Sequence, residues 1–129
     1  MADGRGEVTM GEDGIVRIVN PPGQRLGVAE INYMMAEQRR LGEGRKVPVL
    51  IDGRGVVSMS KEARQIGASP EYAGLTSRMA IVVGGPVSAM IGTFFFRVAR
   101  PSFPVRLFSD FESALAWLRS PGEGTPGAT

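Results

Sequence analysis

The chain has 129 residues, of which 43% are hydrophobic and 22% charged, as expected of one globular domain with a modest core. It contains no cysteine and no histidine, which excludes disulfides, thiolate nucleophiles, imidazole bases and the commonest zinc ligands. The formal net charge is +2, and no aromatic residues interleave with the basic pairs, so we expect no nucleic-acid partner.

The sequence also bears on where in the cell the protein is found. The N-terminal residues show no signal-peptide pattern, and no apolar run is long enough to span a membrane. We therefore expect a cytoplasmic protein without membrane contact.

Two β-prone runs at the start of the chain predict a hairpin. Residues 7–10 and 15–19 are joined by a loop of glycine and acidic residues. Apolar residues at helical spacing then predict an amphipathic helix over 24–41, which ends at Gly42.

The middle of the chain predicts a buried strand followed by short helices. The apolar run 47–51 suits a strand covered on both faces, and a polar loop follows it. Ser60 is placed as the N-cap of a helix that runs to about Gly67. Ser69 precedes a proline and predicts one further helical turn.

The central unit is a second buried strand, 79–83, which leads through two glycines into a helix beginning at Pro86. One face of this helix carries apolar residues at i, i+3, i+4 and i+7 spacing, which predicts packing on the sheet. These residues are Val87, Met90, Ile91, Phe94, Phe95 and Val98.

The C-terminal part predicts one more strand and one more helix. The strand covers 105–108, and a capping box over 109–112 opens the helix. We predict a single domain over 6–119, with disordered tails at 1–5 and 120–129 because neither tail has enough apolar residues to bury.

The predicted order of elements favours a mixed α/β fold. The three later strands alternate with helices and should be parallel, and the opening hairpin should extend one edge of the sheet. Four segments carry a resemblance to a known family, and the most specific of them is the last. They are Val49-Leu-Ile-Asp-Gly-Arg-Gly, Ser60-Lys-Glu-Ala-Arg, Ala80-Ile-Val-Val and Phe108-Ser-Asp-Phe-Glu-Ser-Ala-Leu-Ala-Trp-Leu.

Over residues 7–119 the chain resembles the SpoIIAA-like, STAS-related family of small bacterial proteins. The resemblance implies a SpoIIAA-like (STAS-like) mixed sheet, with an N-terminal β-hairpin followed by parallel βα units. It also implies a regulatory, protein-binding role.

The loops at the carboxyl ends of the parallel strands form the predicted partner-binding rim, since ligands and partners of open α/β sheets usually meet these loops. The alternative reading makes the serines plain helix caps, the aspartate a loop-fixing acceptor and the glycines turn residues. The rim residues are Asp52, Arg54, Ser58, Ser60, Lys61, Gly85 and Ser88.

The resemblance also implies a phosphorylation site. Anti-sigma-antagonist STAS domains carry a phosphorylated serine in an Asp-Ser-Ser-Gly motif at the start of the corresponding helix. This chain has Ser58-Met-Ser-Lys61 there, without the Asp and the Gly. Ser60 is the better match and Ser58 the second.

A second face of the central helix predicts self-association. Small residues followed by an aromatic ring recur there at helical spacing, which favours a homodimer interface over ordinary edge contacts. The predicted dimer face comprises Ala89, Gly92, Thr93, Phe96 and Phe103.

These features predict a non-enzymatic interaction module with an unidentified protein partner. The sequence has no phosphate-binding motif, no metal-ligand cluster and no placed pair of catalytic carboxylates, so we expect neither a cofactor nor a metal. The alternative is a carrier or sensor of a small hydrophobic, lipid-like ligand. A carrier should have a cavity lined by Met34, Met90 and Phe94, with Arg97 or Arg100 at its mouth.

Overall fold

The structure, a computed structural model, describes residues 6–120, apart from the side chains of Phe94, Phe96 and Val98. The strands are β1 (Glu7–Met10), β2 (Val16–Val19), β3 (Gln24–Leu26), β4 (Val47–Asp52), β5 (Val56–Met59), β6 (Thr76–Val82) and β7 (Val105–Phe108). The helices are α1 (Val28–Gly42), α2 (Lys61–Gly67), α3 (Pro70–Ala73), α4 (Gly85–Phe94), continued by a π-helical turn over Phe95–Ala99, and α5 (Phe111–Arg119). The predicted disordered tails lie outside the described residues except for Ser120, which follows α5.

Five strands form one sheet in the order β1-β2-β4-β6-β7. The β1–β2 pair is antiparallel, and every other neighbouring pair is parallel. In the centre, Leu50 lies opposite Ala80 and Ile51 opposite Ile81. The predicted hairpin at the edge of parallel βα units is therefore confirmed.

Two short strands were not predicted. β3 and β5 pair in parallel as a separate two-stranded sheet, in which Arg25 lies opposite Ser58. The prediction of a helix from Gln24 is accordingly wrong, because the first three of its residues form β3 and α1 begins at Val28. The predicted polar loop after β4 is present, but it leads into β5, which was not predicted.

The two faces of the large sheet are covered unequally. One face carries the main core, to which α1 contributes Met34 and the π-helical turn contributes Phe95. The other face is covered by α5, which places Trp117 and Leu118 on Leu50 and its neighbours. The larger buried volume therefore lies between the sheet and the layer of α1, α2, α4 and the small sheet.

The orientation of α4 differs from the predicted one. Ser88 is buried and Phe95 beyond α4 is 6% exposed, whereas Val87 and Met90 are 48% and 64% exposed. The prediction that Val87 and Met90 pack on the sheet is therefore wrong. Because this helix is apolar around most of its circumference, side-chain periodicity could not identify the buried face.

Candidate functional site

Asp52 ends β4 at the carboxyl edge of the sheet, and both of its carboxylate oxygens are engaged. Oδ1 accepts hydrogen bonds from the Arg54 backbone N at 3.1 Å and from Arg54 Nε at 2.9 Å, and Oδ2 accepts one from Arg54 Nη2 at 3.0 Å. Burial would raise the pKa of the Asp52 carboxyl, but the side-chain and backbone hydrogen bonds from Arg54 outweigh burial and leave this pKa below its usual value. The ionised Asp52 carboxylate therefore fixes the loop after β4 by accepting these hydrogen bonds from Arg54.

The Arg54 side chain extends across the same edge toward α5 and α4. Its guanidinium lies 4.7 Å from the centre of the Phe111 ring, a cation–π arrangement. A Cβ built on Gly84 would lie 3.1 Å from Arg54 Cγ, so the glycine lets the arginine stem pass closely. Arg54 therefore bridges the loops after β4 and β6 to the start of α5.

Ser60 and Lys61 are separated from this cluster by β5, which the sequence did not predict. Ser60 is the N-cap of α2, as predicted, and its Oγ accepts a hydrogen bond from the Ala63 backbone N at 3.1 Å. Lys61 is exposed beside it, and Ser58 is exposed on β5. The expected single rim is therefore divided in two.

Gly85 and Ser88 open α4. Gly85 has a φ of +87°, a conformation that favours glycine, and is exposed. Ser88 is 4% exposed, accepts a hydrogen bond from Gly84 N at 2.8 Å and donates one to Gly84 O at 3.2 Å. Ser88 consequently fixes the first turn of α4 and is not available to a partner.

The predicted dimer face is only partly at the surface. Thr93 is exposed and Ala89 half-buried, but Gly92 faces the sheet, where an added Cβ would lie 3.1 Å from Leu107 Cδ2. Phe103 is 7% exposed and makes an edge contact with Tyr72, with ring centres 5.7 Å apart. Gly92 and Phe103 were therefore wrongly assigned to this face, and the Phe96 side chain lies outside what the structure describes.

The exposed apolar side chains of α4 are instead Val87 and Met90. They follow Pro86, which is exposed too. Arg97, beyond them, is also at the surface. The outer face of α4, defined here by Val87, Met90 and Thr93, carries two of the five large hydrophobic side chains that are exposed among the described residues.

A cavity of about 90 Å³ lies beneath α4, between the sheet and α1, and is partly open to the surface. Met34 lines it as predicted, but Met90 points to the opposite, exposed side of α4, and the Phe94 side chain is not described. Arg97 and Arg100 are exposed. The apolar wall is formed mainly by Ile18, Leu26, Met34, Met35, Ile51, Val56, Met59, Ile66, Met79, Ile81, Ile91 and Phe95.

Asn20 is a wall residue that sequence reasoning missed. It follows β2 and is 4% exposed, and its Nδ2 donates to the Asp52 backbone O at 3.1 Å. Its Oδ1 is the buried side-chain oxygen that has no hydrogen-bond partner among the described residues. An asparagine followed by two prolines is a common turn sequence. No local sequence pattern therefore indicates that the Asn20 side chain is buried and that its Oδ1 lacks a partner.

Residues 6–120 contain neither a cluster of metal ligands nor a membrane-spanning helix. No group of three or more acidic side chains comes together there in a way that could hold a metal ion. None of the helices described is both long enough and apolar enough to cross a bilayer.

Comparison with known proteins gives a family and a fold. Residues 9–121 match a family described as "Domain of unknown function (DUF7793)". No curated protein matches the chain.

Six chains of solved structures match this chain, two of which are as follows. An uncharacterised protein of the DUF3478 family with a SpoIIAA-like fold, from Shewanella loihica PV-4, is 16% identical with a TM-score of 0.61, over 88% of this chain and 91% of that one. A protein of unknown function from Arthrobacter sp. FB24 is 24% identical over 87% of this chain and 97% of that one, with a TM-score of 0.34. The first of these confirms the predicted SpoIIAA-like fold.

Proposed function

Since the chain belongs to the DUF7793 family of domains of unknown function and has a SpoIIAA-like fold, we propose that it is a non-enzymatic, cytoplasmic interaction module that forms a homodimer through the outer face of α4. The observation that carries the proposal is the exposure of Val87 and Met90, at 48% and 64%, on a helix that is buried on its opposite side. Val87 and Met90 are neighbours at i, i+3 spacing on this helix, and contiguous exposed apolar side chains are typical of interaction surfaces.

The charge distribution around α4 supports this surface. No charged residue occurs between Met79 and Arg97, and the cores of protein interfaces are depleted of charged residues. Such a surface can face its own copy across a two-fold axis without bringing like charges together.

The strand-end residues support a non-catalytic role. Asp52 is bound by Arg54, Ser88 by Gly84, and Asp110 caps α5 through the Ser113 backbone N at 2.7 Å. General acid–base catalysis would need a carboxylate or hydroxyl free to approach a substrate. At this edge the polar groups serve to hold loops.

Native mass spectrometry and light scattering test the homodimer. We expect a dimer for the wild type and a monomer for Val87→Glu and for Met90→Glu, because each buries a carboxylate in the interface. Val19→Glu is the matched control, since Val19 is a 43% exposed valine on a different element, β2, and this variant should remain dimeric. A monomeric wild type, or dimeric Val87→Glu and Met90→Glu proteins with intact circular dichroism, would refute the proposal.

Phosphorylation at Ser60 or Ser58 would make the module regulatory. Ser58 is exposed on β5, whereas Ser60 is half-buried and its hydroxyl already caps α2. A phosphate on Ser60 would lie at the N-terminus of α2 beside Lys61, where negative charge is tolerated. Intact mass of protein purified from its own cells should show an 80 Da addition (about the mass of one phosphoryl group) that Ser58→Ala or Ser60→Ala removes.

A further inference from the structure

The floor of the cavity beneath α4 is a row of isoleucines in register across the large sheet. Ile18 on β2 lies opposite Ile51 on β4, which in turn lies opposite Ile81 on β6, and all three line the cavity. Ile51 belongs to the middle strand of the sheet, yet it is half-buried and not fully buried. Open space therefore remains above the centre of the sheet, where a close-packed core would leave none.

Methionines make up much of the remaining lining. Met34 and Met35 of α1, Met59 of β5 and Met79 of β6 all line the cavity, and they are four of the seven methionines in the chain. Methionine is unbranched and flexible, so its side chain adjusts to irregular apolar shapes. Such a lining can close around a ligand that does not match the cavity in outline.

The polar side chains of the cavity wall donate their hydrogen bonds to other atoms of the protein. Asn20, Tyr72 and Ser88 each do so, at 3.1, 2.5 and 3.2 Å. The backbone N of Gly53, another wall residue, donates to the Val82 backbone O at 2.8 Å. A ligand oxygen that entered the cavity would give up its hydrogen bonds to water and meet donors that are already engaged.

Water is a poor occupant of this space. The cavity volume of about 90 Å³ equals that of roughly three water molecules at about 30 Å³ each, but ordered buried waters make about two to four hydrogen bonds to polar partners. If the cavity were empty, its lining atoms would lack dispersion contacts on one side. An apolar occupant supplies those contacts and needs no hydrogen bond.

We propose that this cavity is a binding site for a small hydrocarbon-like molecule, a compact ligand of about four carbon atoms without hydrogen-bonding groups. An apolar cavity of about 150 Å³ binds benzene, which has six carbon atoms. In proportion, a volume of about 90 Å³ accommodates about four. The inference does not depend on the outer face of α4 and goes beyond the proposed function.

The test compares two probes of the same planar shape, 2-methylpropene and acetone, in which an oxygen replaces one CH₂ group. Methyl-detected NMR of the isoleucine and methionine side chains reports binding at the wall. For the wild type we expect saturable shifts at Ile18, Ile51 and Ile81 with 2-methylpropene. Acetone should bind at least about tenfold more weakly, because its oxygen leaves water without gaining a free donor.

Two variants locate the binding site. Ile91 lines the cavity from α4, and Ile91→Trp should lower the affinity for 2-methylpropene by more than about tenfold because the larger side chain takes up the space. The matched control is Val28→Trp. Val28 is 42% exposed on another helix, α1, and belongs neither to the cavity wall nor to the outer face of α4. This control should bind 2-methylpropene as the wild type does.

Three results would overturn the inference. The first is the absence of saturable shifts with 2-methylpropene in the wild type. The second is equal affinity of the wild type for 2-methylpropene and acetone, which would show that the site does not select against a polar ligand. The third is wild-type affinity in an Ile91→Trp protein whose circular dichroism is intact. Because the first two are measured on the wild type, the inference stays falsifiable even if Ile91→Trp fails to fold.

Discussion

Gly55 shows how a single residue controls the position of the small sheet. A Cβ built on it would lie 2.4 Å from the Pro21 backbone O and 2.7 Å from the Asn20 backbone O. Backbone atoms cannot move away as flexible side chains do, so the loops after β2 and β4 approach each other closely only because residue 55 is glycine. The Gln24 backbone N, which donates to the Gly55 backbone O at 2.9 Å, depends on this approach.

We predict that Gly55→Ala lowers the free energy of unfolding by about 1–3 kcal/mol, the range for overpacking a tightly packed site. Urea denaturation monitored by circular dichroism measures the change. Gly74→Ala is the control, because its Cβ would lie 3.4 Å from the nearest atom, an ordinary contact, and the residue has a helical φ of −69°. Equal stability of the two variants would contradict the prediction.

Asp13 provides a pH-dependent contribution to stability. It pairs with Arg17 at 3.0 Å and with Arg119 at 2.8 Å, which joins the hairpin loop to the end of α5. The hydrogen bonds from Arg17 and then Arg119 hold the pKa of the Asp13 carboxyl well below its usual range. A carboxyl with a lowered folded-state pKa stabilises the fold above its unfolded pKa of about 3.9 and loses that contribution as the pH falls further.

Asp13→Asn should therefore lower the free energy of unfolding by about 1 kcal/mol at pH 7. The expected effect is small because partly exposed ion pairs contribute only about that much to stability. Below about pH 4 the difference between the variant and the wild type should shrink. Urea titrations at pH 7 and pH 3 test this. A difference that is independent of pH would show that Asp13 acts through packing or the Ile15 backbone hydrogen bond alone.

Interactions between residues close together in the sequence were predictable, whereas interactions between residues far apart in the sequence were not. Ser60 was predicted as a helix cap because cap signals lie within a few residues of one another. The interactions of Asn20 and Gln38 connect positions 32 and 37 residues apart, to Asp52 and Leu75. Such pairs depend on the tertiary arrangement and leave no local pattern in one sequence.

At the scale of elements, α5 depends on its first turn. The predicted capping box began at Ser109, but the observed N-cap is Asp110, whose two carboxylate oxygens accept from the Ser113 backbone N at 2.7 Å and from Ser113 Oγ at 3.1 Å. The negative charge also suits the N-terminal end of the helix dipole.

Asp110→Ala should cost about 1 kcal/mol, the usual loss for an N-cap. Ser109→Ala, one residue earlier and exposed, should change stability by less than about 0.5 kcal/mol. Thermal unfolding of both variants distinguishes them. If Ser109→Ala were the more damaging substitution, the cap would lie where the sequence pattern first placed it.

Element types were easier to predict than element faces. The sequence located β4, β6 and β7, although β6 begins at Thr76, three residues before the predicted run 79–83. β3 and β5 were missed because three or four residues are too few to show alternation, and their pairing depends on loops that meet after β2 and β4. The buried face of α4 was predicted wrongly for a different reason. On this helix Ser88 and Gly92 are buried and Met90 is exposed, the reverse of what their polarity suggests.

At the scale of the whole molecule, each face of the large sheet packs against its own hydrophobic cluster. Trp117, the single tryptophan, lies with Leu118 in the smaller cluster beneath α5. The Trp117 ring is 5.9 Å from that of Phe108, and the Arg78 guanidinium is 4.9 Å from its centre. Arg78, which is 6% exposed, also donates to the Trp117 backbone O.

Because α5 packs on the central strands β4 and β6, we predict that tryptophan fluorescence and far-UV circular dichroism give coincident urea transitions. Tryptophan fluorescence measures the environment of Trp117 on α5, whereas far-UV circular dichroism measures the secondary structure of all the helices. A fluorescence midpoint well below that of circular dichroism would mean that α5 detaches before the sheet unfolds. The variant Trp117→Phe would show whether the signal comes from this site.

The order of strands in the large sheet has a consequence for biosynthesis. In space the strands follow β1-β2-β4-β6-β7, which is also their order along the chain. During translation, each strand that leaves the ribosome can therefore add to the edge left by the one before it, and none has to insert between two strands already paired. The sheet can grow in one direction at the pace of synthesis, with α5 closing the second face last.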